Sequence, residues 1–305
     1  MGERKALDGQ ASLLMVLMCL ILGLQQVVLK LAASDISPLM QIAIRSGLAA
    51  LLVFPLIQLQ QGTRLFDSEY VRPACWIALL FAGEFLFVAE ALRYTSASHT
   101  AMLLYTAPIF TAIGLHLKIP AERLSKIQWC GVLLAFIGIM VTFLGRSEPS
   151  VGSLETVLWG DFLALLAGVC WAMTTITLKL SHLSEVHPTQ TLFYQLLGSF
   201  ILLFPLAFIT GQADIQWSLT TFASLGFHTI VVSFLCLMLW FWLLRHYLAS
   251  HLGVFSFLTP LFGMLFGVWI LNERLEFSFI IGTVLVLSGM AIVSMRGWLA
   301  RSRSN

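Results

Sequence analysis

The chain carries one pattern twice, about 150 residues apart. Arg93 with Ala97-Ser98-His99 returns as Arg245 with Ala249-Ser250-His251, and Pro108 and Phe110 return as Pro260 and Phe262. After one residue of slippage, Glu122-Arg123-Leu124, Gly131 and Gly138 return as Glu273-Arg274-Leu275, Gly282 and Gly289. The front of each copy also matches: Leu29-Lys30-Leu31, Pro38 and Phe54-Pro55 against Leu178-Lys179-Leu180, Pro188 and Phe204-Pro205. A duplication of this size in a strongly apolar chain is the signature of a membrane transport architecture.

Composition supports the membrane. Hydrophobic residues fill 59% of the 305 positions and charged residues 10%, against about 25% charged in a soluble domain. A net charge of +2 with no basic stripe argues against a nucleic-acid partner. The five cysteines stand singly in apolar runs with no CxxC, so they read as packing residues and imply no metal site or disulfide framework. The first apolar run lacks a small-residue cleavage site and reads as a spanning helix.

A helix needs about 20 apolar residues to cross the hydrocarbon core. That rule gives ten spans: 12–32, 38–57, 74–93, 97–117, 126–144, 158–179, 188–210, 219–244, 248–271 and 276–296. With the N-terminus inside, twelve Lys and Arg fall on the inner side and four (Lys30, Arg93, Arg146, Arg274) on the outer side. The positive-inside rule then puts both termini in the cytoplasm. Five spans per copy is odd, so the second copy enters the membrane from the opposite side. The fold expected is an all-α polytopic membrane protein of ten transmembrane helices, built as two inverted five-helix repeats over 12–144 and 158–296. Inverted halves suit the exchange of inward-open and outward-open shapes.

Residues 97–138 and 249–289 each hold a small-residue helix start, a proline, an E-R-L turn and two glycines seven apart. This pattern resembles the EamA repeat of the drug/metabolite transporter superfamily, over nearly the whole chain. Two departures stand out: Pro120-Ala121 precede the first E-R-L turn, and the first helix reads Leu22-Gly23-Leu24-Gln25. The resemblance implies a central cavity lined largely by the third, fourth, eighth and ninth helices.

The repeated residues read as machinery. Pro108 and Pro260, taken as mid-span, each remove a backbone hydrogen bond and imply a kink beside a cavity, with a purely structural kink as the alternative. The glycine pairs predict close packing of the fifth and tenth helices against each other. The E-R-L turns read as interface anchors that bridge loops, with gating as the alternative. His99 and His251 cannot form a metal pair, because inversion puts them on opposite sides of the membrane.

Residues present once carry the specific chemistry. Charges at bilayer depth are costly and face a cavity or a partner. Glu84 lies mid-way along the third helix and is the candidate for proton coupling, since a carboxyl held out of water can exchange a proton nearer neutrality; an ion pair with Arg45 is the structural alternative. Arg45 lies about 10 Å into the second helix and reads as a helix tie. His228 is a second titratable candidate and a candidate for substrate contact in the cavity, with a neutral histidine bonded to a nearby helix as the alternative. Tyr105, Trp171 and Trp240 are the aromatic candidates for contact with an amphipathic solute.

The reading is a secondary transporter of the inner membrane, an exporter of amino acids or related small metabolites by alternating access, with proton antiport as the coupling. The alternatives are an uptake symporter or a drug exporter of the same superfamily. A phosphorylated-sugar or nucleotide-sugar exchanger would need more cations at depth than Arg45. No GxxxxGK[ST], HExxH or GxSxG occurs, so neither an ATP-driven pump nor an intramembrane enzyme is indicated, and no cofactor is implied.

Overall fold

The computed structural model describes residues 9–59, 67–120, 123–144, 153–246, 256 and 258–294. Glu122, Ala249-Ser250-His251 and both chain ends lie outside the described residues. Among the described residues the chain is helical, apart from one isolated bridge between Ile36 and Ile215.

The helices are α1 (Gly9–Leu31), α2 (Pro38–Gln58), α3 (Ser68–Tyr94), α4 (Ala97–Leu104), α5 (Ala107–Lys118), α6 (Lys126–Leu144), α7 (Leu154–Leu180) and α8 (Pro188–Ile209). There follow α9 (Leu219–Gly226), a π-helical segment (Phe227–Cys236), α10 (Leu237–His246), α11 (Leu258–Leu271) and α12 (Phe277–Ser294). Among the described residues, seven helical stretches are long and apolar enough to cross a membrane, and 126–142, 258–271 and 277–293 are shorter apolar helices. Their outward faces are apolar: Leu51, Ile209, Trp269 and Phe277 are each more than two-thirds exposed. Such a coat fits hydrocarbon rather than water.

Local signals start the helices where polar caps are available. Ser37, Ser96, Ser153 and Ser218 each accept a hydrogen bond from the backbone N–H three residues on, and Pro38 and Pro188 sit in first turns, where no N–H is required.

One expected span is broken. The stretch 97–118 breaks at Tyr105-Thr106, so Pro108 lies in the first turn of α5 rather than at a mid-helix kink. Pro260 is likewise the third residue of α11. Proline cannot bond the carbonyl four residues back and presses against it, and a helix start tolerates both effects. The break is accommodated by Gly168 on α7: a Cβ there would sit 3.0 Å from the carbonyl oxygens of both Leu103 and Leu104.

The glycine pairs meet as their spacing predicts. A Cβ at Gly131 would lie 2.8 Å from the Gly289 carbonyl, and one at Gly138 would lie 2.7 Å from the Gly282 carbonyl. The helices α6 and α12 thus run antiparallel with backbone against backbone, and any side chain at these points forces them apart. Gly138→Val is expected to destabilise the fold by about 1–3 kcal/mol, read as a lower thermal midpoint in detergent. An unchanged midpoint would show that the seam has slack.

Candidate functional site

The inner faces of these helices enclose a cavity of about 790 Å³, within the size range of small-molecule sites. It runs from mid-helix to the end of the molecule where α7 passes into α8, and Leu183 and Val186 of that connection line it. The cavity is built from more of the chain than the third, fourth, eighth and ninth helices: α1, α2, α7 and α8 also supply walls.

Six of the sequence candidates line it: Arg45, Glu84, Tyr105, Pro108, Trp171 and Trp240. Tyr105 stands at the α4–α5 break, its ring edge-on to Trp171 with centroids 5.1 Å apart. Glu84 and Arg45 are 6% and 3% exposed and do not close an ion pair. The Arg45 guanidinium lies over the Phe85 ring at 4.4 Å, and its Nε and Nη1 have no hydrogen-bond partner.

His228 and Pro260 are not among the lining residues. His228 is fully buried on the π-helical segment, with Nδ1 2.8 Å from the Ser224 carbonyl and Nε2 3.1 Å from the Gln25 carbonyl of α1. Ser224 donates to Gln41 Oε1 at 2.6 Å, and Gln41 donates to the carbonyls of Leu29 and Ile36. This network binds α1, α2, α9 and the π segment, so His228 holds helices together beside the cavity. The small polar linings Thr174, Thr175 and Ser233 were not singled out from the sequence. The two threonine hydroxyls bond back to carbonyls of their own helix, Cys170 and Trp171, which lets them pass for apolar neighbours.

The opposite end is shut by polar contacts, most of them between residues before 144 and residues after 158. Glu273 accepts from Ala97 N (2.7 Å), Ser98 N (3.0 Å) and Ser98 Oγ (2.6 Å). His99 N donates to Ser96 Oγ, and Thr100 N to the Ser96 carbonyl. All four opening N–H groups of α4 are thereby satisfied, two of them by a carboxylate from the far half of the chain. Lys30 Nζ lies 4.0 Å from Glu273. Beside this contact, His99 stacks on Phe279 at 3.9 Å between Asp161 and Glu276. Ser218 donates to Asp35, Ser37 donates to the Gln212 carbonyl at 2.7 Å, and Gln212 donates to Glu90 at 2.8 Å. None of these clamp residues lines the cavity.

A family model matches residues 10–144 and again 158–295. The chain belongs to the EamA-like transporter family. It is similar to an uncharacterized transporter of Archaeoglobus fulgidus, 26% identical over 95% of this chain and 99% of that protein. It is also 28% identical to a protein of Escherichia coli K12 named a probable amino-acid metabolite efflux pump, over 93% of this chain and 94% of that protein. A solved crystal structure shares the fold with a TM-score of 0.64 at 17% identity, covering 92% of this chain and 96% of that one. This EamA-like protein is a multi-pass membrane transporter and not an enzyme.

In the EamA-like chain the Glu273 contact holds the shut end. Glu273→Ala leaves two helix N–H groups without a partner, and such a loss costs about 1–3 kcal/mol. Amide hydrogen exchange at Ala97 and Ser98 is expected to rise about tenfold or more, with exchange in α12 unchanged. Equal protection in the variant would show that the clamp does not depend on the carboxylate.

Proposed function

We propose that this chain is a ten-span secondary transporter that exports amino acids or related small metabolites across the inner membrane by alternating access, with proton antiport through Glu84. The observation that carries the reading is a cavity reaching one end of the molecule while contacts between the two halves of the chain shut the other. Transport by alternating access requires one such state and its mirror.

The helix pairing supports two inverted five-helix halves, 12–144 and 158–296. The fifth and tenth expected helices (α6 and α12) pack on each other, as do the second and seventh (α2 and α8). The third packs on the sixth (α3 on α7) while the first meets the π segment of the eighth. Exchanging one half for the other preserves this pattern. Charge supports the orientation. The cavity end carries Arg72, Lys118, Lys126 and Lys179, and the shut end Lys30, Arg93 and Arg274. The positive-inside rule makes the cavity end cytoplasmic and the state inward-open. The efflux names of the Escherichia coli and Salmonella typhimurium relatives favour export, and a buried carboxyl on the cavity wall is the group suited to carry the proton.

Reporter fusions at Met1 and Asn305 are expected to report from the cytoplasm; an external signal from either overturns the ten-span topology. In proteoliposomes loaded with neutral amino acids, an imposed pH gradient is expected to drive their release. Glu84→Gln is expected to abolish that proton-driven flux while sparing the fold, read as a retained cooperative thermal transition in detergent. Full proton coupling in the variant removes Glu84 from the mechanism.

A further inference from the structure

We propose that Arg45 and Glu84 are the two poles of a site for a zwitterion, an α-amino acid with free carboxylate, free ammonium and a large apolar side chain. This rests on the reading that the cavity is the transport site, and it assigns Arg45 to the substrate rather than to a helix tie.

Two opposite charges buried in one cavity ordinarily pair, because removing either ion from water costs several kcal/mol and the partner offsets part of that cost. Here the two charges act on each other, but no direct N–O contact closes between them. Arg45 rests on the ring face of Phe85, which gives its charge partial relief. Its Nε and Nη1 remain without acceptors. On the same cavity wall, the Oε1 of Gln26 is buried and lacks a donor. The wall therefore holds unmet donors on a cation, an unmet acceptor, and a carboxylate open to a cation. One ligand bearing a carboxylate and an ammonium answers both charges. The carboxylate matches the planar fork of Arg45, and the ammonium is the counter-charge for Glu84.

The charge balance selects against other solutes. The two poles sum to zero, so a lone cation leaves Arg45 unmatched and a lone anion leaves Glu84 unmatched. Beside small neutral polar groups such as Thr174, Thr175 and Ser233, the lining carries the rings of Tyr105, Trp171 and Trp240. These rings favour an apolar side chain and supply no further charge for a polar one.

The test is binding followed by the intrinsic fluorescence of the full-length protein in nanodiscs. The probes are L-phenylalanine, L-phenylalaninamide (no carboxylate) and N-acetyl-L-phenylalanine (no ammonium). The wild type is expected to bind phenylalanine at least about tenfold more tightly than either analogue, the weight of one lost charge-assisted bond. Arg45→Gln is expected to bring the amide level with phenylalanine, Arg45→Lys to restore part of the preference, and Glu84→Gln to bring the N-acetyl compound level. The wild-type comparison stands even where a variant fails to fold. An amide or N-acetyl compound that binds the wild type as tightly as phenylalanine overturns the zwitterion site. Absence of phenylalanine binding, with gradient-driven flux of another solute intact in proteoliposomes, also overturns it and leaves the transport reading standing. Absence of flux for every solute class tested removes the transport reading itself.

Discussion

One carboxylate caps a helix in one half of the chain from the other half. Glu273 sits where the opening N–H groups of α4 would otherwise have no acceptor. A helix start leaves four such groups and a partial positive charge, and an anion is the partner that meets both. The anion comes from the other half of the chain, so capping one helix also joins the halves. Lys30 beside it limits the negative charge left over. The same contact is one of those that close the blind end of the cavity, beside the His99 cluster and the Ser37–Gln212–Glu90 bonds. At this point capping and closure share one interaction.

Irregular backbone is concentrated around the cavity. In hydrocarbon an unpaired N–H or C=O costs several kcal/mol, so helices facing lipid stay regular. The break at Tyr105-Thr106 and the π-helical run from Phe227 to Cys236 are the two departures among the described spans, and Tyr105, Ser233 and Cys236 from them line the cavity. The break places Tyr105 in a turn, where its ring meets Trp171 edge-on in the cavity wall. The π turns bring His228 against the Gln25 carbonyl of α1. Proline alone does not create the break. Gly168 lets the Leu103 and Leu104 carbonyls lie against α7, so a glycine on a neighbouring helix makes the irregularity tolerable.

The features most legible in the sequence were those written in period and spacing. Two glycines seven apart on each of two helices specify a face, and Gly131, Gly138, Gly282 and Gly289 do meet there. The apolar runs gave the helix positions. The cavity walls contributed by α1, α2, α7 and α8 were less legible, because a helix between lipid and a greasy interior is apolar all round and shows no amphipathic stripe. On α7, Met173 faces outward while its neighbours Thr174 and Thr175 line the cavity. Nothing in the order Met-Thr-Thr declares that. Partners across the fold were also hidden. The E-R-L turn was visible, but that Glu273 reaches Ala97 follows only from the packing of α4 against α11.

The duplication gives the two poles of the cavity a further meaning. The register that pairs Pro38 with Pro188 pairs Arg45 with Gln195, and the register that pairs Arg93 with Arg245 pairs Glu84 with Cys236. Gln195 and Cys236 line the cavity as well. The cavity walls therefore follow the repeat in position while only the first half carries charge. A cavity with matching charges in both halves would offer a ligand two equivalent poses related by the inversion. On the proposed zwitterion site, one cation and one carboxylate, each matched in the repeat to a neutral residue, leave a dipolar ligand a single favoured pose. The glycine seam recurs in both halves because both must pack alike; on that proposal the charges occur once because a ligand with two different ends needs two different ends to bind.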